Sequence, residues 1–106
     1  MTVYVDDSLI TATVGRLTSQ WSHLFADSEA ELHAFAGRLG LRRDWYQPDK
    51  HGGGHWHYDV TSGKRLRAIQ LGAQAVSWRE AVDIMHERDK RPSNRAAVNQ
   101  RQASDG

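Results

Sequence analysis

The chain has no cysteine among its 106 residues. That excludes a disulfide framework and any thiolate metal site, so an ion bound here must take its ligands from His, Asp, Glu or backbone oxygen. Long apolar runs are missing too: nothing approaches the ~20 consecutive apolar residues of a membrane span. The opening Met1-Thr-Val-Tyr-Val-Asp-Asp7 has neither the basic start nor the apolar stretch of a secretory leader. The expectation is a cytoplasmic protein, neither secreted nor membrane-embedded. Disorder throughout is excluded by a hydrophobic fraction of 39%, and a second core would need about 50 residues of its own, so one domain is expected.

Charge is nearly balanced overall, at +1, but unevenly spread. Residues 1–37 set one arginine against five acids, a net −4; residues 38–87 carry +2 and residues 88–106 carry +3. A chain polarised in this way suits a cation at its front and a polyanion at its back, although solvated surface charge accounts for the same pattern.

Hydrophobic spacing defines most elements. Thr2–Asp6 is a β-rich run ending at two carboxylates, and Trp21–Phe25 alternates so that Trp21, His23 and Phe25 share a face. Residues 8–19 show no clear period and read as loop. Leu32, Phe35, Ala36 and Leu39 form the apolar stripe of a helix over 28–39, with a Ser28-x-x-Glu31 capping box and Gly40 at its end. Trp78, Ala81, Val82 and Met85 repeat that spacing over 78–89, behind Ser77-x-x-Glu80. Between these, His55–Val60 alternates as a strand, Thr61 or Ser62 caps a helix over 62–71 that stops at Gly72, and Ala75-Val76 is a short strand. Strand, helix, strand, helix favours parallel pairing. The expected architecture is therefore a single small α/β domain over residues 1–89, with a short, mostly parallel sheet and three helices. Lys50-His-Gly-Gly-Gly54 reads as a flexible loop and residues 90–106 as a disordered basic tail.

The densest polar feature is His55-Trp-His-Tyr-Asp59, where His55, His57 and Asp59 fall on one strand face at steps of about 6.6 Å. Imidazole and carboxylate together suit a divalent ion such as Zn²⁺, Mn²⁺ or Mg²⁺, and Asp6, His57 and Asp59 are the candidate ligands. Sites in open α/β sheets gather at the carboxyl ends of strands, which would place Asp6, Asp7 and Asp59 on one rim. His23, His33 and Asp7 are the candidate catalytic groups. Each has a plainer reading: a polar strand face for the histidines, a surface flank for His33, and a helix boundary for His86. Thr61, Ser62, Lys64 and Arg65, at a helix start, form a candidate phosphate site, with ordinary capping as the alternative. Arg42, Arg43 and Trp45 offer the cation and aromatic combination that stacks on bases.

A family likeness runs through these segments. Tyr4-Val-Asp-Asp7, Trp21-Ser-His-Leu24 with Asp27, Glu31-Leu-His-Ala34, Leu39-Gly40, Trp45-Tyr-Gln47 and His57-Tyr-Asp59 with Lys64-Arg65 resemble, in order, the signature of the small bacterial and phage family called domain of unknown function 4031. The resemblance covers about residues 2–80 and brings no assigned activity. It implies that Asp6, Asp7, His23, His33, His57 and Asp59 belong to one constellation, which spacing by itself does not show. His51, His55 and the glycine loop look peculiar to this sequence.

Three functions fit these residues. The first is a metal-assisted hydrolase of a phosphate ester or nucleotide, with Asp6, His57 and Asp59 as ligands, His23 as acid or base, and Lys64 and Arg65 on the phosphate. The second is a non-catalytic nucleotide- or nucleic-acid-binding module using Arg42, Arg43, Trp45 and the basic tail. The third is an interaction domain that forms a homodimer through its aromatic surface.

Overall fold

The computed structural model describes residues 2–48 and 56–89; the glycine loop, His51, His55 and the basic tail lie outside them. Within the described residues one sheet carries three helices. Its strands are β1 (Val3–Val5), β2 (Ile10–Val14), β3 (Leu17–Ala26), β4 (Tyr46–Gln47), β5 (His57–Thr61) and β6 (Gln74–Ala75). The helices are α1 (Glu29–Arg38), α2 (Ser62–Gln70) and α3 (Trp78–Asp89), with a short 3₁₀ turn at Arg43–Trp45. The α/β class and the three helices are as expected. No helix among the described residues is long and apolar enough to cross a membrane.

The sheet is mixed, which corrects the expectation of mostly parallel pairing. Its order is β4-β5-β3-β1-β6 with β2 also paired to β3, and β1 with β6 is the parallel pair while the other pairs are antiparallel. The unit β5-α2-β6 does join parallel strands, but α2 carries the chain past β3 and β1, so the two strands it connects are not neighbours. The second correction concerns residues 8–19, which form a hairpin. Gly15, at φ 62°, occupies the first of two turn positions, where a Gly-X pair matches the twist of the flanking strands. Its strands are largely exposed, so neither face needed an apolar alternation. Cross-strand bonds hold it instead: the Thr13 and Thr18 hydroxyls lie 2.7 Å apart, and Trp21 Nε1–H donates to Ala12 O.

The long strand β3 is the sheet's common partner: β1 pairs with its second half, β2 with its first, and β5 with its other edge. Alternation along it separates two cores. Leu24 and Ala26 join Val5, Tyr58, Val60, Leu32 and Phe35 beneath α1 and α2. Phe25 points the other way, packing with Tyr4, Val76, Ala81, Ile84 and Met85 of the α3 face. Ser28 caps α1 through Glu31 N–H, and Thr61 caps α2 through Lys64 N–H. The two helices close with wide turn bonds from Leu41 N–H to Ala36 O and from Ala73 N–H to Ala68 O, at the glycines expected. The capping box of α3 is reciprocal: Glu80 N–H donates to Ser77 Oγ and Ser77 N–H to Glu80 Oε1.

The far end of α3 is fastened by Arg88, a residue whose charge gave no hint of burial. It is fully buried, with Nη1–H donating to Ala26 O at 2.9 Å and the guanidinium 3.5 Å from the centroid of the Trp56 ring. A desolvated cation on an indole face is worth about 2 kcal/mol, and a hydrogen bond from a charged donor adds a comparable amount. Arg88→Ala should therefore lower unfolding free energy in urea by about 3 kcal/mol, whereas Arg79→Ala, on the exposed side of the same helix, should change it by no more than about 0.5 kcal/mol.

Candidate metal centre

The site begins with an irregularity in the β1–β3 ladder. Asp6 N–H donates to His23 O at 3.0 Å, as an antiparallel pair requires, but the returning bond from His23 N–H goes to Asp6 Oδ1 at 2.9 Å. The carboxylate takes the place of the Asp6 carbonyl, which accepts from Arg65 Nε–H at 2.8 Å. Ser8 N–H closes a turn onto the same Oδ1. The other oxygen, Oδ2, lies 2.7 Å from His23 Nδ1. Asp6 is buried, and burial would raise its pKa. Hydrogen bonds from the His23 ring and backbone and from Ser8 outweigh that and hold it at about 2.

That contact fixes the imidazole of His23. With Nδ1–H directed at a carboxylate, Nε2 carries the lone pair and faces across the strand to Asp59, its register partner on β5. Asp59 Oδ1 lies 4.0 Å from His23 Nε2 and 3.2 Å from His57 Nε2. The His23 and His57 rings meet edge to face with centroids 4.8 Å apart. His23, His57 and Asp59 each offer one donor atom, and all three atoms lie within 4.8 Å of one another. Donors of a tetrahedral ion at about 2.1 Å stand about 3.4 Å apart, so small side-chain rotations complete the set. Asp6 stands behind His23, in the place of a carboxylate that would orient the imidazole toward an ion. Its hydrogen bond to Asp6 raises the pKa of His23 against the opposing effect of burial, and the hydrogen bond from His57 lowers that of Asp59.

Ser8 Oγ also approaches His23, at 3.0 Å, but on Nδ1, the nitrogen that already faces Asp6. A nucleophilic serine needs the opposite nitrogen, so a serine triad is not formed here. His23 and His57 of the cluster open onto a cleft of about 420 Å³ whose polar floor they form with Asp6 and Ser8. Its wall is apolar: Ile10 from β2, with Trp78, Val82 and Met85 from α3.

A protein-family model, described as a protein of unknown function (DUF4031), matches residues 3–88, and the donor residues and all the described lining of the cleft lie inside that span. The chain belongs to the DUF4031 family. No curated protein and no solved structure matches it. The family resemblance seen in the sequence is thereby borne out.

In this DUF4031 protein the remaining candidates have other surroundings. Asp7 Oδ1 accepts the Trp78 N–H at 2.8 Å, which docks the amino end of α3 onto the end of β1. His33 is not brought to the cluster. It projects from α1 on the opposite face of the sheet, where Nδ1 accepts from Arg43 Nε–H at 3.2 Å and lies 2.9 Å from Tyr58 OH. Burial, and then the Arg43 guanidinium, lower its pKa. The phosphate candidates serve the fold: Thr61 caps α2, exposed Ser62 opens it, Lys64 Nζ donates to Leu39 O at 2.7 Å, and Arg65 holds the Asp6 carbonyl. Arg42 lies over Trp45 and pairs with Asp44, while Arg43 lies over Tyr46. Asp27 binds the Thr2 N–H and the Tyr4 hydroxyl. Ser8 and Ile10 lie in a stretch without hydrophobic period and carry no signal of a site in the sequence, and the stripe of α3 does not distinguish Val82 and Met85 as cleft residues from core.

The Asp6–His23 pair makes stability depend on pH in the metal-free protein. Asp6, with its pKa lowered to about 2, stabilises above pH 3.8, and this contribution is lost as pH falls toward 2. His23, with its pKa raised, stabilises fully below pH 6.5 and loses that contribution as pH rises through its folded pKa. Chelator-treated protein should be most stabilised by the pair between pH 3.8 and 6.5, by about 2 kcal/mol for the carboxylate. Thermal melts across pH should show both slopes, and Asp6→Asn should flatten them.

Proposed function

We propose that this protein is a metal-assisted hydrolase, with His23, His57 and Asp59 holding a divalent ion and Asp6 orienting His23. The observation that carries this reading is the convergence of three donors beside a cleft, with a buried carboxylate fixing the tautomer of one of them. Three protein ligands leave a tetrahedral ion one position for water, the arrangement of catalytic rather than structural zinc. Two imidazoles and one carboxylate favour Zn²⁺ or Mn²⁺ over Mg²⁺, which prefers oxygen ligands. An ion so held lowers the pKa of its water toward neutrality and polarises the bond to be cleaved. His23, read from the sequence as acid or base, is a ligand in this proposal, and Asp6 supports it from behind.

Titration calorimetry with Zn²⁺ and Mn²⁺ should give one site per chain. His57→Ala and Asp59→Ala should weaken binding at least about 100-fold while far-ultraviolet circular dichroism stays unchanged, and Asp6→Asn should weaken it about 10–100-fold. Because the ion must displace the proton that Asp6 helps His23 retain, affinity should fall as pH drops through the raised His23 pKa, with proton release on binding. Absence of binding at neutral pH would remove the proposal. The binding-module reading keeps one observation, the half-exposed Trp45 beneath Arg42. It requires salt-dependent nucleic-acid affinity that survives chelator and weakens in Trp45→Ala.

A further inference from the structure

The cleft beside the donor cluster differs from a phosphate site in two independent respects. The first is charge. Among the described residues no lysine or arginine lines it. Arg65 and Arg79 each touch a cleft residue, but Arg65 is bonded to the Asp6 carbonyl and Arg79 stacks on the Trp78 ring at 5.3 Å. A divalent ion on His23, His57 and Asp59 would have its two charges matched by the carboxylates of Asp59 and Asp6. A dianionic phosphate monoester entering such a centre would lose hydration and meet the ion but no lysine or arginine of the described lining to offset its second charge.

The second respect is the wall. Ile10, Trp78 and Val82 are 56%, 53% and 40% exposed, so three large apolar side chains lining one cleft present a contiguous apolar surface to solvent. Met85 and Ala81, both buried, form its back. A volume of about 420 Å³ accommodates a bicyclic aromatic group or a branched chain of similar size. Asp7 holds this wall in place through the Trp78 N–H, so the apolar surface stands at a fixed distance from the donors.

From these two observations we infer that the substrate is an uncharged carboxylic ester whose aryl or branched alkyl group lies against Ile10, Trp78 and Val82, not a phosphate ester. The inference rests on the metal-hydrolase reading above. In the reaction a water on the ion gives one proton to solvent, and the resulting hydroxide forms a bond to the acyl carbon. The carbon–oxygen bond to the alcohol then breaks, the alkoxide takes a proton from solvent, and the products are the carboxylic acid and the alcohol. No oxidant, reductant or second substrate is required.

The test compares 1-naphthyl butyrate with 1-naphthyl phosphate, which share one apolar group and differ in charge, on the full chain loaded with Zn²⁺ or Mn²⁺ and quantified for bound metal by elemental analysis. The expected result is stoichiometric metal and a kcat/KM for the ester at least about tenfold above that for the phosphate. Trp78→Ala should raise KM for the ester about tenfold with little change in kcat and none in metal content. Val82→Lys, which puts a cation on the wall, should narrow the ester-to-phosphate ratio. Stoichiometric metal with phosphate hydrolysed as well as or better than ester would overturn this inference and leave the hydrolase reading standing. Stoichiometric metal with neither compound hydrolysed would also overturn it, as would light scattering that shows a stable dimer dissociated by Trp78→Ala. Failure to bind metal would overturn the hydrolase reading itself.

Discussion

The N–H of His23 donates to a carboxylate where a sheet would ordinarily supply a carbonyl, and much of the molecule is arranged around that exchange. Asp6 is thereby part of the ladder and of the site at once. Because its oxygens receive the His23 backbone, the His23 ring and the Ser8 backbone, it stays ionised in a place where burial alone would favour the neutral form. Because its carbonyl is turned outward, Arg65 of α2 finds an acceptor at the end of β1. One side chain joins strand pairing, helix docking and the tautomer of a histidine, so the site is positioned by the rigid centre of the sheet, and only its wall comes from α3 and the hairpin.

How much of this could be read from the sequence varies with the physics of each part. Helices α1 and α3 were legible because an apolar stripe and a Ser-x-x-Glu box specify a helix from residues close together in the chain. The hairpin was not, since Ile10–Thr13 and the first half of β3 bury neither face and so carry no alternation. The signal present there was the Gly15-Arg16 pair between β-rich runs, which identifies a turn without naming a face. Sheet order was beyond local reading as well: α2 connects strands that β3 and β1 separate, and only long-range pairing decides that.

The candidate residues divide along the same line. His57 and Asp59 share a strand face, so their proximity followed from period two. That His23 faces Asp59 depends on the β3–β5 register, and that His33 lies on the opposite side depends on which face α1 covers. Neither is a property of spacing within one element. Lys64, Arg65 and Arg88 show how cations mislead when counted by charge: each is bonded to a backbone carbonyl of another segment, and Arg88 is wholly buried.

Asp6 and Asp7 are adjacent in the chain but turn to different tasks, the first inward to His23 and the second outward to the start of α3. The orientation of His23 and the width of the cleft are thus controlled from neighbouring positions by separate hydrogen bonds. Residue 7 acts as a hinge pin for the wall. Re-angling α3 through it would resize the chamber while leaving the donor atoms where they stand, a mechanical independence of the cleft's width from the placement of His23, His57 and Asp59.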